Sequence, residues 1–249
     1  MKILHLSDLH IDKNIIQDQR IVLRALFADI AREIDDQGAF DLVFFSGDLI
    51  AKGAYSAENV EIAKKEFLQP LLATTQIDSS KFFMVPGNHD VDLKSQSGIL
   101  ASAQLNLGNN EAVSRHLTEV IQPNGPKTGL EQFNDIYSEW IMAAPEVANS
   151  HYRTYKFRIG SLKVGLAALN SAWRSTGAAQ DADYGRLLVG AKQVDDALES
   201  LRDVDILLAL QHHPINWMTP KDTQYLHRQL LLHFDALFHL IRNLPQHAP

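Results

Sequence analysis

The chain has 249 residues, and 45% of them are hydrophobic, an ordinary composition for a globular protein with a substantial core. Its formal net charge of −7 and its pI near 5.8 argue against a surface built for sequence-independent binding to nucleic acids. Because the chain contains no cysteine, a disulfide framework and a thiolate metal site are excluded, and any metal must be held by oxygen and imidazole.

The first 90 residues alternate between short apolar runs and longer segments with apolar residues at helical spacing. The runs predict strands and the longer segments predict helices. Gly38 is a stop signal for the first helix, and Pro86-Gly87 closes the third strand. In chain order, these elements are a strand at 3–6, a helix at 17–34, a strand at 41–46, a helix at 58–72 and a strand at 81–85. The alternation indicates parallel strands joined by right-handed crossovers.

Residues 91–150 break this rhythm, because they hold several glycines and the turn sequence Pro123-Asn124-Gly125-Pro126 between helical pieces at 111–121 and 130–142. We interpret them as a mostly helical insertion without a core of its own, inside a single domain that covers residues 1–249. Insertions at the carboxyl ends of strands often shape a substrate pocket.

After the insertion, two apolar runs flank Gly160-Ser161 and predict a β-hairpin. The elements of this part are hairpin strands at 155–159 and 162–169, a helix at 191–201, a strand at 205–210 and a helical segment at 224–244.

Four short polar strings follow the predicted strands. They are Ser7-Asp8-Leu9-His10, Gly47-Asp48, Gly87-Asn88-His89-Asp90 and His212-His213-Pro214. Taken singly, each has an ordinary explanation as a cap, a polar turn or a pair of loop histidines. Because ligands gather at the carboxyl edge of parallel strands, the set as a whole predicts a two-metal site that binds and cleaves phosphate esters.

The residue types suit that chemistry. Residues i and i+2 of an extended chain face the same side, so we expect Asp8 and His10 to hold one ion from adjacent pleats. The two oxygens of Asp48 can bridge two cations, and Asn88 offers a neutral amide oxygen. His89 is placed to contact a phosphate oxygen or to protonate a leaving alkoxide. Of the two adjacent histidines in the fourth string, one can be a direct ligand.

In this order, the four strings resemble the calcineurin-like metallophosphoesterase superfamily. The residues around Ala168-Leu169-Asn170-Ser171 and Asp183-Tyr184-Gly185 resemble a bacterial branch of it. The resemblance covers residues 1 to about 215. It implies an α/β fold of four layers, in which two packed mixed β-sheets are flanked by helices and two divalent metal ions lie at the strand ends.

The resemblance also implies a role for each residue of the site. By this resemblance, Asp8 and His10 would bind the first metal, and Asp48 would bridge both metals. Asn88 and His212 would bind the second metal. His89 would contact the scissile phosphate and stabilise or protonate the leaving group. His212 is preferred to His213 because the family ligand lies two positions before the proline.

The implied activity is that of a metal-dependent phosphoesterase. We expect phosphodiester hydrolysis, with a metal-bound hydroxide attacking phosphorus in line and without a covalent intermediate. Mn²⁺ is the expected metal, with iron or Zn²⁺ as alternatives that suit the same ligands. The substrate would be a phosphate ester such as a nucleotide or a nucleic-acid end. No apolar run approaches the roughly 20 residues that span a bilayer, and no signal sequence is evident, so we expect a cytoplasmic protein without a membrane partner.

The chain departs from the family pattern near its C-terminal end. The family closes its site with a fifth motif, Gly-His-x-His, and this sequence contains no Gly-His pair. Either the chain stops before the motif, or the motif has been lost after residues 234–239, which resemble the strand that normally leads into it. We therefore expect the C-terminal end of the fold to be incomplete and metal binding to be weakened. His233, His239 and His247 are the available substitutes, although an ordinary helix or tail role suits each of them.

Two other functions compete with this one. A degenerate site would make the chain a non-catalytic module that binds a nucleotide or a partner, and the missing fifth motif favours it. A DNA nuclease would need a basic cleft, although the acidic balance weighs against one. The basic residues that could line such a cleft are Arg153, Lys156, Arg158, Arg174 and Arg186.

Overall fold

The computed structural model describes residues 1–53, 55–98, 107–122, 124–177 and 182–240. In these ranges the strands are β1 (Ile3–Leu6), β2 (Leu42–Phe45), β3 (Phe82–Met84), β4 (Val147–Ala148), β5 (Arg153–Ile159), β6 (Leu162–Ala168), β7 (Ile206–Leu210) and β8 (Ala236–Phe238). The α-helices are α1 (Ile16–Gln37), α2 (Ala57–Ala63), α3 (Gln69–Thr75), α4 (Asn110–Val120), α5 (Glu131–Trp140), α6 (Ala191–Ser200) and α7 (Pro220–His233). A wide helical turn (Lys64–Leu68) joins α2 to α3.

The strands form two sheets flanked by helices, as expected. In the first sheet, β1, β2 and β3 lie side by side and run parallel. The second sheet has the order β4-β5-β6-β7-β8, with antiparallel pairs as far as β6 and parallel pairs from β6 to β8. The predicted parallel strands and the hairpin of β5 and β6 are therefore confirmed, and the mixed pairing lies in the second sheet.

Aromatic rings pack one sheet against the other. Phe83 of β3 stacks on Phe157 of β5 with ring centroids 5.2 Å apart, and Phe44 of β2 meets Phe238 of β8 edge-on at 5.0 Å. Phe44 and Phe83 are completely buried. This packing also brings the end of β7 beside the end of β2, so that loops from both sheets meet at one edge.

The helices cover the sheets with their apolar faces. The longest, α1, buries Leu23 and Ile30 and ends at Gly38, whose φ of 83° favours glycine and whose N–H donates to the carbonyl of Ile34. At the start of α7, the Thr219 hydroxyl accepts the N–H of Asp222. None of the helices in the described part of the chain is long and apolar enough to cross a membrane.

The prediction of one helical segment over 224–244 is wrong for residues 234–240, whereas the strand that residues 234–239 resemble is present as β8. Helix α7 ends at His233, and the chain then forms β8 beside β7. Asp235 starts this pairing, because its N–H donates to the carbonyl of Leu207 and its carboxylate accepts the N–H of the same residue, both at 2.8 Å. Pairing of β8 with β7 thus overrides the local helical pattern. Residues 241–249 lie outside the described part of the chain.

The two helical pieces predicted in residues 91–150 are present as α4 and α5. Phe133 and Trp140 of α5 are buried in the main core together with residues of both sheets. Val113 and Leu117 of α4 pack instead with Trp173 in a separate small cluster. Residues 99–106 and 123 of this segment lie outside the described ranges.

Candidate metal centre

The four polar strings converge at one edge of the molecule, where β1, β2, β3 and β7 end. Backbone N–H groups of Asp8 and His10 donate to the carbonyls of Gly47 and Asp48 at 3.0 and 2.9 Å, so the first two strings run side by side beyond their strands. The backbone N–H of His89 donates to Asp48 Oδ1 at 2.8 Å, which adds the third string.

Asp8 and His10 come together, but not from adjacent pleats of an extended segment. Both residues, and Asp48 as well, adopt left-handed backbone conformations, with φ of 59°, 49° and 61° respectively. Such conformations cost free energy in non-glycine residues and cluster at functional sites. The pleat geometry assumed from the sequence is therefore wrong, because β1 ends at Leu6 and the loop beyond it curls rather than extends.

One oxygen of Asp48 lies between two imidazole rings. Asp48 Oδ2 is 3.7 Å from His10 Nε2 and 3.6 Å from His212 Nε2. His10 Nε2 is in turn 3.6 Å from Asp8 Oδ1. The Asp8 carboxylate raises the pKa of His10, although burial opposes this effect. Burial by itself would raise the pKa of Asp8, but its contacts with His10 and Ser7 keep that pKa below the usual value.

His212 presents a lone pair to the centre. Its Nδ1–H donates to the carbonyl of Ser46 at 2.6 Å, which in the neutral ring leaves Nε2 as an acceptor. This Nε2 lies 3.2 Å from Asn88 Oδ1, which is also an acceptor. Two acceptors at this distance are stabilised by a cation that both can bind. His213 faces away from them, because its Nδ1 pairs with the Ser171 hydroxyl at 3.0 Å.

His89 presents its other nitrogen to the centre. The backbone N–H of Lys52 donates to His89 Nδ1 at 3.1 Å, so the proton of the neutral ring lies on Nε2. The ring meets that of His10 edge-on, with centroids 4.5 Å apart. Burial lowers the pKa of His89, against the attraction of the Asp48 carboxylate.

Two glycines allow the second and third strings to touch. A Cβ on Gly47 would lie 2.4 Å from the backbone nitrogen of Gly87, and a Cβ on Gly87 would lie 2.2 Å from Asp48 Oδ1. Gly47 also has a φ of 103°, which disfavours other residues. Both positions therefore require glycine if the carboxylate is to keep its place.

Asp90 supports the site, and the sequence interpretation had assigned it no role. Its carboxylate is completely buried and accepts five hydrogen bonds. The donors are the N–H groups of Gly87, Asp48, Leu49 and Ile50 and the hydroxyl of Tyr55. Burial, followed by the charge of Asp48, raises the pKa of Asp90 to about 6. Its position three residues after Gly87, in a turn that follows a buried strand, was the available signal.

The donor set fits divalent cations. In the described part of the chain, Asp8 Oδ2 and Asp48 Oδ2 are buried without a hydrogen-bond partner, which is costly for carboxylate oxygens unless a cation is bound. Ligand atoms of Asp8, Asp48 and His212 lie within 4.8 Å of one another, and so do those of His10, Asp48 and His89. Carboxylate, amide and imidazole ligands suit Mn²⁺, iron and Zn²⁺.

The position after β8 borders the same edge. The N–H of Leu240 donates to the carbonyl of His212 at 3.0 Å, and His239 Nδ1 donates to the carbonyl of Leu240 at 2.7 Å. His239 is close enough to His5 to contribute to the lowered pKa of that residue, after burial. His233 lies in the last turn of α7, and His247 is outside the described residues.

Three of the five basic residues considered for a nuclease, Arg153, Arg158 and Arg174, make contacts away from the carboxylates of the centre. The Arg153 guanidinium lies over the ring of Tyr137 at 4.0 Å. Arg158 donates to the carbonyl of Ser161 at the hairpin turn, and Arg174 donates to the carbonyl of Arg186. The contacts of these three residues do not bring their guanidinium groups to the carboxylates of the centre.

The family model for calcineurin-like phosphoesterases matches residues 1–239, which include all four strings and β8. The chain belongs to this family. Members are metal-dependent phosphoesterases that use divalent ions in a dinuclear centre. The chain is 21% identical over 243 residues to YydB of Bacillus subtilis (strain 168), an uncharacterised metallophosphoesterase-like protein, and the match covers 96% of this chain and 47% of YydB. The chain thus spans about half the length of that relative.

Among solved structures, this member of the calcineurin-like family is similar to a dimetal phosphatase from Danio rerio. The two share 15% sequence identity with a TM-score of 0.46, over 95% of this chain and 79% of that one.

Proposed function

We propose that this chain hydrolyses phosphodiesters at a centre of two divalent metal ions, with Mn²⁺ as the expected metal. The proposed ligands are Asp8, His10, Asp48, Asn88 and His212. The observation that carries the proposal is the position of Asp48 Oδ2, which is buried, lacks a hydrogen-bond partner among the described residues, and lies 3.6–3.7 Å from two imidazole nitrogens. A carboxylate oxygen in this position is suited to bridge two cations.

When bound, the two cations would lower the pKa of a water molecule and take up negative charge on the phosphate oxygens. The chain's own residues prepare the site for this. The carbonyl of Ser46 holds His212 in the tautomer that can bind a metal. The backbone of Lys52 holds His89 in the tautomer whose Nε2–H is free to donate to a phosphate oxygen or to the leaving alkoxide.

The test combines metal binding with hydrolysis of bis-p-nitrophenyl phosphate. We expect Mn²⁺-dependent hydrolysis that EDTA abolishes and that Asp48→Asn reduces at least about 100-fold, because the bridging carboxylate is lost. Asp36→Asn is the matched control, since Asp36 is exposed at the end of α1. Equal turnover by the two variants would refute the assignment of Asp48, and hydrolysis that is unaffected by EDTA would refute the metal mechanism.

A second function is favoured by one observation. The residue after His239 at the end of β8 is Leu240, whose N–H bonds to His212, and the sequence has no Gly-His pair to complete the family motif. A site with fewer imidazoles suits a module that binds a nucleotide without cleaving it. Nucleotide binding at saturating Mn²⁺, with no product over hours, would support this function in place of hydrolysis.

A further inference from the structure

The loop that carries Asp8 and His10 is held from two sides. On the side of β2, the N–H groups of Asp8, His10 and Ile11 donate at 2.9–3.0 Å to carbonyls of the segment that follows β2. The acceptors are the carbonyls of Gly47, Asp48 and Leu49. The left-handed conformations of Asp8 and His10, with φ of 59° and 49°, redirect the peptide planes between them. As a result, the carbonyls of Leu9 and His10 face α1.

A single side chain of α1 receives these carbonyls. Gln19 Nε2 donates to the carbonyl of His10 at 2.8 Å and to that of Leu9 at 3.2 Å. The Oε1 of the same amide accepts the N–H of Asp12 at 3.3 Å. Gln19 is partly buried, so water competes less well for these bonds than it would at an exposed site. One amide therefore brackets the backbone on both sides of His10.

We propose that Gln19 is a positioning residue that holds the strained loop so that Asp8 and His10 face the metal centre. The inference rests on the proposed function. Without the amide, two carbonyls would lose their donor, and the loop could relax from the strained left-handed conformations of Asp8 and His10. Loss of a group that orients metal ligands typically weakens metal binding by about 10–100-fold.

The main variant is Gln19→Met, which keeps the length of the side chain and suits a helix but removes the donor and the acceptor. Gln17→Met is the matched control, because Gln17 lies on the same helix and its amide is exposed. Calorimetric titration with Mn²⁺ should show an affinity at least tenfold weaker in Gln19→Met than in Gln17→Met. A second variant, Gln19→Glu, keeps the acceptor and loses the donor. Its added negative charge by itself attracts Mn²⁺, so weaker binding in this variant would isolate the missing donor.

A second readout needs no metal. Amide hydrogen exchange of metal-free protein should be faster at His10 and Ile11 in Gln19→Met, with no change in β2. Equal acceleration throughout the sheet would mean a general loss of stability and would overturn the proposal. Mn²⁺ affinities within twofold for Gln19→Met and Gln17→Met would also overturn it. If the unaltered protein binds no Mn²⁺, the proposed function fails, while the exchange comparison still decides whether Gln19 holds the loop.

Discussion

The Asp90 carboxylate connects the string Gly47-Asp48 with its own string, Gly87-Asn88-His89-Asp90, and Asp90→Asn tests how much this connection contributes to stability and metal binding. Asp90 Oδ2 accepts the N–H groups of Asp48 and Gly87 at 2.7 and 2.8 Å. Asp90 Oδ1 accepts two further N–H groups, at 3.0 and 3.3 Å, and the Tyr55 hydroxyl at 2.7 Å. An asparagine offers one oxygen and one NH₂ group. Whichever way the amide is oriented, at least two buried donors lose their acceptor.

The expected cost follows from these donors. Each buried donor without a partner costs about 1–3 kcal/mol, so two cost about 2–6 kcal/mol. Because burial raises the pKa of Asp90 to about 6, removing the charge relieves part of a desolvation penalty, and we expect a net loss of about 2–4 kcal/mol. For a chain of this size, that corresponds to a fall in Tm of roughly 4–16 °C.

The assay is urea unfolding followed by titration with Mn²⁺, with Asp36→Asn as the control for the same chemical change at an exposed position. Mn²⁺ affinity should fall in Asp90→Asn, because the N–H of Asp48 is no longer anchored and the carboxylate beside it can move. Tyr55→Phe should cost less, about 1–2 kcal/mol, since it removes one donor and leaves the carboxylate in place. If Asp90→Asn unfolds at the same urea concentration as the control, the supporting role assigned to Asp90 is incorrect.

Three further results are expected. Gly87→Ala would place a Cβ 2.2 Å from Asp48 Oδ1 and should abolish tight Mn²⁺ binding. Gly108→Ala, whose Cβ would have no atom of the described residues within 4 Å, should bind like the unaltered protein, and equal affinities of the two variants would contradict the steric argument. Burial lowers the pKa of His151 to about 3, so below about pH 6.5 the unfolded chain takes up a proton that the folded chain does not, and stability falls as the pH drops towards 3. Between pH 7 and 5, the free energy of unfolding of the unaltered protein should fall by about 2 kcal/mol more than that of His151→Gln, as measured by urea unfolding. If the two proteins lose stability in parallel over this range, His151 is not the origin of the pH dependence. Phe83→Ala should lower the free energy of unfolding by about 3–5 kcal/mol in the same assay, because it leaves a cavity between the two sheets. A loss under about 1 kcal/mol would mean that the two sheets move together and fill the cavity.

The regular elements of this protein were largely predictable because they depend on local patterns. Apolar runs such as that of β2 and helical spacing such as that of α1 are local properties, and the structure contains both elements close to the expected residues. One exception is the segment after His233, where the helical spacing predicted a helix, the family resemblance indicated a strand, and the chain forms β8. That strand depends on pairing with β7 and on the packing of Phe238 against Phe44, which are not local.

Sequence by itself determined the chemistry available at the centre, because carboxylates, an amide and imidazoles follow strands whose parallel order could be inferred. Only the tertiary structure decided how these groups are oriented. The tautomer of His212 depends on a carbonyl 166 positions away, and the left-handed turn at Asp48 is held by Asp90, 42 positions later. The amide of Gln19 reaches the His10 carbonyl from another element. The first two contacts join residues far apart in the chain, and the third joins a loop to a packed helix, so none of them has a local signature. The orientation of the site therefore emerges only when the sheets and α1 are packed together.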